Sequence, residues 1–223
     1  DFAFPVPIQV ICELLGIPTA DQHRFGPWSS AVSRMLDADL TEDDIQAGVL
    51  AFMEIMSYLD GILEERRAHP RDDLLSALIA AEEEGDRLSE EELRSTVLLL
   101  FVAGHETTTN LIGNGITALL RHRDQWERLV ADPSLAPGAV EEVLRFDGPV
   151  HLTGRTATVT SEVGGVTVEP GQGLLVLIAA ANRDPARFPD PDRLDIGRTD
   201  THHLAFSQGM HYCLGAALAR LEG

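Results

Sequence analysis

The chain has 223 residues, of which 44% are hydrophobic and 24% are charged. This length and composition suit a globular protein with a sizeable core, and they exclude a wholly disordered chain. The formal net charge is -19 at pH 7. Such a charge argues against nucleic acid or an anionic membrane as a partner, because these partners attract cationic surfaces.

The two cysteines, Cys12 and Cys213, lie far apart in the sequence. So few cysteines are not typical of a disulfide scaffold, and this favours a reducing cytoplasm. No apolar run reaches the length of a membrane span, and no segment is typical of a signal peptide. We therefore expect a cytoplasmic protein with no membrane partner.

The sequence of the first two thirds of the chain predicts mostly helices. Apolar periodicity and helix-ending residues place them at residues 6–15, 20–36, 41–68, 72–84, 89–122, 124–130 and 137–146. Thr41 precedes three acidic residues, and Ser89 stands three residues before Glu92; both patterns are typical of a helix N-terminus. Residues 97–103 are apolar on every side, so the helix at 89–122 is expected to run through the core.

The composition changes after residue 150. Residues 151–178 are rich in valine and threonine and contain glycine and proline turn signals, which predicts short antiparallel strands. An irregular loop follows, and a last helix begins after Cys213. Because the sequence contains no recognisable linker, we predict one mixed domain that is mostly α with a small β part (α+β).

Cys213 lies in a loop bounded by Gly209 and Gly215, directly before the last predicted helix. Unpaired N–H groups and the dipole of a helix N-terminus favour a thiolate over a thiol. The two glycines let the backbone approach a flat and bulky ligand. A thiolate held in this way can ligate haem iron and donate electron density to it. The pattern therefore favours iron ligation for Cys213, whereas Cys12 lacks it and is interpreted as a core residue.

Residues 103–108 combine a glycine, an acid and two threonines in the middle of the helix predicted at 89–122, where they are poor helix formers. A threonine hydroxyl can bond a carbonyl one turn earlier and open the helix locally. Glu106 and Thr107 would then form an acid–alcohol pair that could relay protons to bound oxygen. A bent helix with satisfied hydroxyls explains the pattern equally well.

Glu142 and Arg145 are three residues apart, which places both charges on one face of the helix predicted at 137–146. Alone, such a pair is a surface ion pair of little energetic weight. Arg193, in the irregular loop, could join them in a buried triad whose role is structural.

Two metal-site interpretations are weaker. His105 and Glu106 begin a zinc-protease pattern, but Thr109 stands where that pattern requires its second histidine. Ligand types suited to zinc also occur near the chain end, at His202, His203, His211 and Cys213. Their irregular spacing is not that of a zinc finger.

Together these segments resemble the cytochrome P450 family, in its soluble bacterial class. The cysteine signature of the family (Phe-x-x-Gly-x-His/Arg-x-Cys-x-Gly) is met from Phe206 to Gly215, with Ser207 where the family usually has glycine. Its oxygen-activation motif (Ala-Gly-x-acid-Thr-Thr) is met at residues 103–108. Its Glu-x-x-Arg motif is met at residues 142–145.

The resemblance implies a P450 fold with a long central helix over haem b, iron protoporphyrin IX. It implies that Cys213 is the axial iron ligand, that Glu106 and Thr107 deliver protons to bound oxygen, and that Gly104 lies beside the oxygen groove. Further haem contacts are implied for Phe206, Gly209 and Gly215 in the cysteine loop and, as partners of the propionates, for Arg155, His203 and His211. Glu142, Arg145 and Arg193 match the folding triad of the family.

The resemblance also divides the chain into regions of one partial P450 domain at residues 1–223. These regions are lid helices (1–70), a central helix (89–122), a Glu-x-x-Arg helix (137–146), strands (151–178) and a haem-thiolate loop and helix (206–223). The N-terminal part and the extreme C-terminus of the family fold are expected to lie outside this sequence.

The implied function is a haem-thiolate monooxygenase that inserts one oxygen atom of O2 into a small, largely apolar organic substrate. Its electrons would come from NAD(P)H through a ferredoxin reductase and a ferredoxin. Apolar residues that either face the substrate or belong to the ordinary core are Leu99, Leu100, Val150 and Leu152. Arginines that either form a ferredoxin-docking patch or are scattered over the surface are Arg121, Arg123, Arg128 and Arg220.

Three alternatives stay open at this stage. The same fold can serve a peroxide-driven oxygenase or a haem-thiolate enzyme that does not oxidise its substrate, such as an isomerase. A non-enzymatic haem-binding protein is the third. An intact Glu106–Thr107 pair favours activation of O2 over these alternatives.

Overall fold

The computed structural model describes residues 2–35, 37, 39–83 and 88–223. The chain divides into two compact units, Asp1–Thr109 and Asn110–Gly223. Helices dominate both units, and the strands belong to the second. The expected fold class, mostly α with a small β part, is confirmed, while the assignment of the whole chain to one domain stays a prediction.

The first unit is helical. Its helices are α1 (Pro5–Leu14), α2 (Gln22–Arg34), α3 (Glu42–Ala68), α4 (Leu74–Glu83) and the first part of α5 (Glu90–Arg121). The predicted helix ends at Leu36 and Glu84 lie outside the described residues.

Capping boxes fix the starts of α3 and α5; the sequence predicts both starts and, at Ser89, the capping box itself. The Thr41 hydroxyl accepts the Asp44 N–H at 3.1 Å, and the Asp44 carboxylate accepts the Thr41 N–H at 2.9 Å. Ser89 and Glu92 make the same reciprocal bonds at 3.2 and 2.7 Å. Both helices therefore begin where side chains replace the backbone acceptors that a first turn lacks.

Aromatic side chains organise the core of the first unit. The Phe25 ring is fully buried, with its centroid 5.3 Å from that of Trp28, 5.1 Å from that of Tyr58 and 4.4 Å from that of Phe101. These rings join α2, α3 and α5, because edge-on and tilted contacts let large apolar side chains fill one space.

Helix α3 is long and apolar enough, by length and composition, to cross a membrane, contrary to the expectation from the sequence. Core helices of soluble proteins meet the same criteria. Ile55, Leu59 and Leu63 of α3 are indeed buried in the core of the first unit.

A buried arginine joins three segments of the first unit. The Arg66 side chain is 1% exposed and donates to Asp73 at 2.7 Å, to the Glu65 carboxylate and to the Gly16 carbonyl. Gly16 has a φ of +67°, and a Cβ built there would lie 2.1 Å from the Asp73 carboxylate. Glycine is therefore required at this position both by the backbone and by the lack of space.

The second unit contains the rest of α5 and the strands that the structure describes. Its other helices are α6 (Arg123–Ala131), α7 (Ala136–Asp147), α8 (Ile178–Ala181) and α9 (Ala216–Glu222). Its strands are β1 (Thr153–Thr156), β2 (Ser161–Val163), β3 (Val166–Val168) and β4 (Gly173–Val176). Antiparallel pairs join β1 to β4 and β2 to β3, which confirms the prediction of short antiparallel strands.

A second buried arginine lies on α7. Arg145 donates Nε and Nη2 to the two carboxylate oxygens of Glu142 at 2.8 Å each. Its guanidinium also donates to the carbonyls of Asn182, Pro191 and Arg193 at 2.9, 2.8 and 3.2 Å. Both charged side chains are inaccessible to solvent. The Glu142–Arg145 pair thus ties α7 to the loop after α8, as the triad interpretation requires.

The third member of this triad is Arg198, and the prediction of Arg193 is wrong. Arg198 donates Nε to Glu142 at 3.1 and 3.2 Å with its side chain 11% exposed. The Arg193 side chain is 65% exposed and lies 4.0 Å from Asp195. The loop presents the carbonyl of Arg193 to Arg145, and its side chain is left in solvent.

Candidate functional site

The loop before α9 holds Cys213 by its backbone and leaves its thiol free. The Cys213 N–H donates to the Phe206 carbonyl at 2.9 Å, and the Cys213 carbonyl accepts from Ala216 at 3.3 Å. The cysteine is half-buried and forms no disulfide. Helix α9 begins at Ala216 with Gly215 as its N-cap, so the thiol belongs to the turn that leads into the helix.

The same loop leaves open space beside its glycines. No atom lies within 4 Å of a Cβ built on Gly209 or Gly215, and Gly209 has a φ of +68°, which favours glycine. Ser207 also has a positive φ, of +59°, a conformation that costs a residue with a side chain about 1–2 kcal/mol. This cost explains why the resembled family usually has glycine there.

Arg155 and His211 are free to meet an anionic group in the second unit. Arg155, on β1, donates to the Thr153 hydroxyl at 2.9 Å and the Gly154 carbonyl at 2.7 Å. Within the described ranges it has no carboxylate partner, and His211 is exposed. Both side chains could therefore pair with a carboxylate of a ligand.

His203 is placed differently from the expectation. Its side chain is 2% exposed, with Nε2 3.0 Å from a Glu141 oxygen and Nδ1 accepting the Ala205 N–H at 3.2 Å. Burial lowers the pKa of His203, so the ring is neutral at pH 7 and its Nε2–H donates to Glu141. Both ring nitrogens are therefore occupied inside the protein, and we correct its assignment from propionate binding to packing of the loop.

The segment at residues 103–108 lies within α5 in the first unit, where the helix is uninterrupted. The Thr107 hydroxyl donates to the Ala103 carbonyl at 3.0 Å, which confirms the predicted bond to the preceding turn. The expected local opening of the helix is absent, because α5 is continuous across these described residues. The Glu106 carboxylate is part-exposed and lies 3.9 Å from Nε2 of His105.

His105 and Gly104 serve packing in the first unit. The ring of His105 is fully buried, with Nδ1 3.0 Å from the Phe101 carbonyl and Nε2 2.7 Å from the Ser29 hydroxyl. Burial lowers the pKa of His105, which keeps the ring neutral. A Cβ on Gly104 would lie 2.7 Å from Ile11, so the lack of a side chain at Gly104 lets α1 pack closely against α5. The position of Gly104 beside an oxygen groove stays a prediction.

The zinc interpretation and the proposed arginine patch have different outcomes. In the part of the chain that the structure describes, no group of three or more His, Cys, Asp or Glu residues could hold a metal ion, which contradicts the zinc interpretation. Arg128 pairs with Asp195 at 3.0 Å, and Arg220 pairs with Glu141. These two arginines are therefore partly neutralised as candidates for a docking patch.

Several of these contacts could not be predicted from the sequence. The bond between Ser29 and His105 and the contact of Glu141 with His203 join residues that are 76 and 62 positions apart. No spacing rule links such residues. The only sequence signal for Glu141 is its place beside Glu142, on a helix whose next turn carries Arg145.

A mostly helical protein with a free cysteine in a glycine-bounded loop defines a class that can hold haem through a thiolate. The sequence model of the family described as cytochrome P450 matches residues 43–223 of the chain. The vitamin D(3) 25-hydroxylase of Pseudonocardia autotrophica is 49% identical over 225 residues, covering 100% of this chain and 54% of that protein. The 6-deoxyerythronolide B hydroxylase of Saccharopolyspora erythraea is 45% identical over 223 residues, with the same coverage of 100% and 54%.

Solved structures show the same likeness. CYP164A2 of Mycobacterium smegmatis with econazole bound superposes with a TM-score of 0.95 at 44% identity, covering 100% of this chain and 57% of that one. P450BioI in complex with an acyl carrier protein carrying hexadec-9Z-enoic acid gives 0.94 at 40% identity, with coverage of 100% and 57%. The chain belongs to the cytochrome P450 family, and it spans about half the length of the curated relatives it matches.

Haem fits the second unit on three observations. Cys213 offers a free sulfur, which is the ligand type that iron in this family requires. The space beside Gly209 and Gly215 could admit a flat ring close to the backbone. Arg155 and His211 supply donors for the propionates.

Proposed function

We propose that the full-length protein is a haem-thiolate monooxygenase that inserts one oxygen atom of O2 into a small, largely apolar organic substrate. The observation that carries this proposal is the free, half-buried thiol of Cys213 beside open space at Gly209 and Gly215. Family membership supports it, since relatives are named hydroxylases of vitamin D(3) and of 6-deoxyerythronolide B.

In this proposal the second unit holds haem b. When bound, thiolate-ligated haem supplies the activation of O2, because the thiolate donates electron density that favours O–O cleavage. Cys213 contributes that thiolate, and the Phe206 carbonyl fixes its backbone by accepting the Cys213 N–H. Arg155 and His211 would donate hydrogen bonds to the propionates, which need cationic or N–H partners when they are buried.

The first unit contributes Glu106 and Thr107 as the proton-delivery pair. The Glu106 carboxylate is part-exposed, so it can exchange protons with water. The Thr107 hydroxyl gives its hydrogen to the Ala103 carbonyl in this structure, and it must rotate from that acceptor to pass the proton on. His105 takes no part in the transfer, because its ring nitrogens are engaged by Phe101 and Ser29.

Exposed apolar side chains would contact the substrate. Leu99, Val150 and Leu152 are exposed within their own units, whereas Leu100 packs on the core of the first unit. We therefore retain the first three as substrate contacts, since large apolar side chains that are exposed to water can mark a ligand-binding site.

The electrons would come from NAD(P)H through a ferredoxin reductase and a ferredoxin in the bacterial cytoplasm. Arg121 and Arg123 are the exposed candidates for docking, because within the described ranges neither has a carboxylate partner. An R121Q/R123Q variant should slow reduction by ferredoxin, and the wild-type rate should fall as ionic strength rises. A rate independent of both changes would contradict the patch.

An optical spectrum of the full-length protein, reduced and bound to carbon monoxide, tests the cofactor. We expect the Soret band of a thiolate-ligated complex, its loss in Cys213→Ala, and its retention in the matched control Cys12→Ala. A spectrum without that band, or a band unchanged in Cys213→Ala, would overturn the proposal.

Turnover with NAD(P)H, ferredoxin reductase, ferredoxin and O2 tests the reaction. We expect one atom of labelled O2 in the product. Product formed with peroxide but not with this electron chain would favour the peroxide-driven alternative. Product without oxygen incorporation would favour the isomerase.

A further inference from the structure

Glu141, on α7, contacts both ends of the segment that carries Cys213. One carboxylate oxygen lies 3.0 Å from Nε2 of His203, ten residues before the cysteine. The other accepts from Nε of Arg220, on α9, and Nη2 of Arg220 lies 3.3 Å from the first oxygen. A single carboxylate therefore joins the start of the loop, the helix after it and α7.

Phe206 connects this carboxylate to the cysteine. The Arg220 guanidinium lies over the Phe206 ring, 4.5 Å from its centroid, and the His203 ring lies 5.9 Å from it. Arg220 also donates to the Tyr212 hydroxyl at 3.3 Å. The Phe206 carbonyl accepts the Cys213 N–H. A displacement of Arg220 or His203 would thus reach the backbone of Cys213 through Phe206.

The burial and charge of the cluster favour a fixed geometry. The side chains of His203, Glu141 and Arg220 are 2%, 21% and 38% exposed. Burial raises the pKa of Glu141, but the hydrogen bond and charge of Arg220 and the hydrogen bond of His203 outweigh this and hold it below its usual range. The carboxylate is therefore ionised at pH 7 and partly shielded from the water that weakens exposed ion pairs.

We propose that Glu141 is a positioning residue for the Cys213 sulfur, and that it acts by holding His203 and Arg220 on either side of Phe206. The inference rests on the proposed function, because it concerns the ligation of haem iron. Groups that support a metal ligand in this way typically change metal affinity or activity about 10–100-fold when they are removed.

The test is the lifetime of thiolate ligation in the reduced, carbon monoxide-bound holoenzyme. We expect E141Q, which keeps the shape but removes the charge, to lose the thiolate Soret band about 10-fold faster than wild type. R220Q should have a similar effect. The E141Q/R220Q double variant should add little, because residues that act through one contact are not additive.

The matched control is R128Q. It removes another part-exposed ion pair of the second unit, Arg128–Asp195, whose residues make no described contact with the segment from His203 to Arg220. R128Q should keep the wild-type lifetime of the Soret band. Denaturant unfolding of each variant separates a general loss of stability from a change at the ligand. If Glu141 only stabilises the fold, E141Q should lose the Soret band no faster than another variant whose free energy of unfolding is equally low.

The outcomes separate the two proposals. A wild-type protein without the thiolate band overturns both. A wild-type band with equal lifetimes in E141Q and R128Q overturns the role of Glu141 and leaves the monooxygenase proposal intact. If E141Q does not fold, R220K decides: it keeps the charge but loses the bridging geometry, and a wild-type lifetime in R220K would overturn the role.

Discussion

Each unit of the chain carries one cysteine, and the surroundings of the two thiols differ. Cys12 is fully buried in the first unit, and burial raises its pKa to about 12. Cys213 is half-buried in the second unit, with open space beside Gly215. Gly104, in the first unit, has Ile11 in the corresponding space. The first unit encloses Cys12 and Gly104 in its core, whereas Cys213 and Gly215 in the second unit are accessible to a ligand.

The histidines and arginines extend the comparison. His105 is buried with both ring nitrogens occupied, whereas His211 is exposed. Among the residues that the structure describes, each unit nevertheless buries one arginine, Arg66 in the first and Arg145 in the second. The units therefore share a way of fixing loops to helices, and their cysteines differ in accessibility. The accessibility of the Cys213 thiol, which a motif does not encode, supports its proposed role as the iron ligand.

Removal of Glu142 should be the most destructive change. Glu142→Ala leaves the buried Arg145 without its charge partner, which typically lowers the free energy of unfolding by about 3–5 kcal/mol. Denaturant unfolding of the full-length protein measures this loss. Arg193→Ala is the matched control and should change stability by less than about 0.5 kcal/mol, since its side chain is in solvent. A large loss in Arg193→Ala, equal to that of Arg198→Ala, would contradict the triad of Glu142, Arg145 and Arg198.

The third member of the triad shows which part of this cluster can be predicted from the sequence. The spacing of Glu142 and Arg145 places them on one helix face, so their pairing follows from helix geometry. Which loop arginine completes the triad depends on the direction of each loop carbonyl and side chain. Arg193 and Arg198 look alike in the sequence, and only the folded loop distinguishes them.

Local sequence signals predicted contacts between residues that are close in the sequence, and they did not predict contacts between distant residues. The capping boxes at Thr41 and Ser89 were predictable, because their bonds close within four residues. The four-residue helix α8 was missed, since a single turn has no periodicity to detect. The burial of Arg66 was also missed, because Gly16 and Asp73 approach it from other parts of the chain.

Thiol reactivity should separate the two cysteines in the haem-free protein. The thiolate is the reactive form, and Cys12 is both inaccessible and held protonated by its raised pKa. We expect Cys213 to react at least about 100-fold faster with a chromogenic disulfide, because Cys12 is buried and its pKa of about 12 leaves only a very small thiolate fraction near neutral pH. Cys213→Ser should abolish the fast phase and Cys12→Ser should retain it. A fast phase that persists in Cys213→Ser and disappears in Cys12→Ser would reverse the comparison.

Glycine substitutions within α5 should show that the first unit is closed at Gly104. Alanine stabilises a helix by about 1 kcal/mol relative to glycine, and Gly113→Ala should show this gain because its side is empty. Gly104→Ala places a methyl 2.7 Å from Ile11, and overpacking of this kind costs about 1–3 kcal/mol. We therefore expect the two variants to shift the free energy of unfolding in opposite directions. Ile11→Val should recover part of the loss, and equal gains in both glycine variants would contradict a closed first unit.

The smallest effect is expected from the pH dependence of the buried histidines. Burial lowers the pKa of His105 and of His203, so the unfolded chain binds more protons than the folded one below the ordinary histidine pKa of about 6.5. Their stabilising contribution is complete above that pH and declines as the pH falls. Each histidine adds at most about 1.4 kcal/mol per pH unit to the slope of unfolding free energy.

The histidine effect can be measured between pH 7 and pH 5, where the paired carboxylate of Glu141 stays ionised because its pKa is lowered. His105→Gln should make the slope shallower by up to one proton, and His203→Gln should do the same in the other unit. If neither His105→Gln nor His203→Gln made the slope shallower, burial would not hold these two rings neutral, and the packing assigned to them would be contradicted.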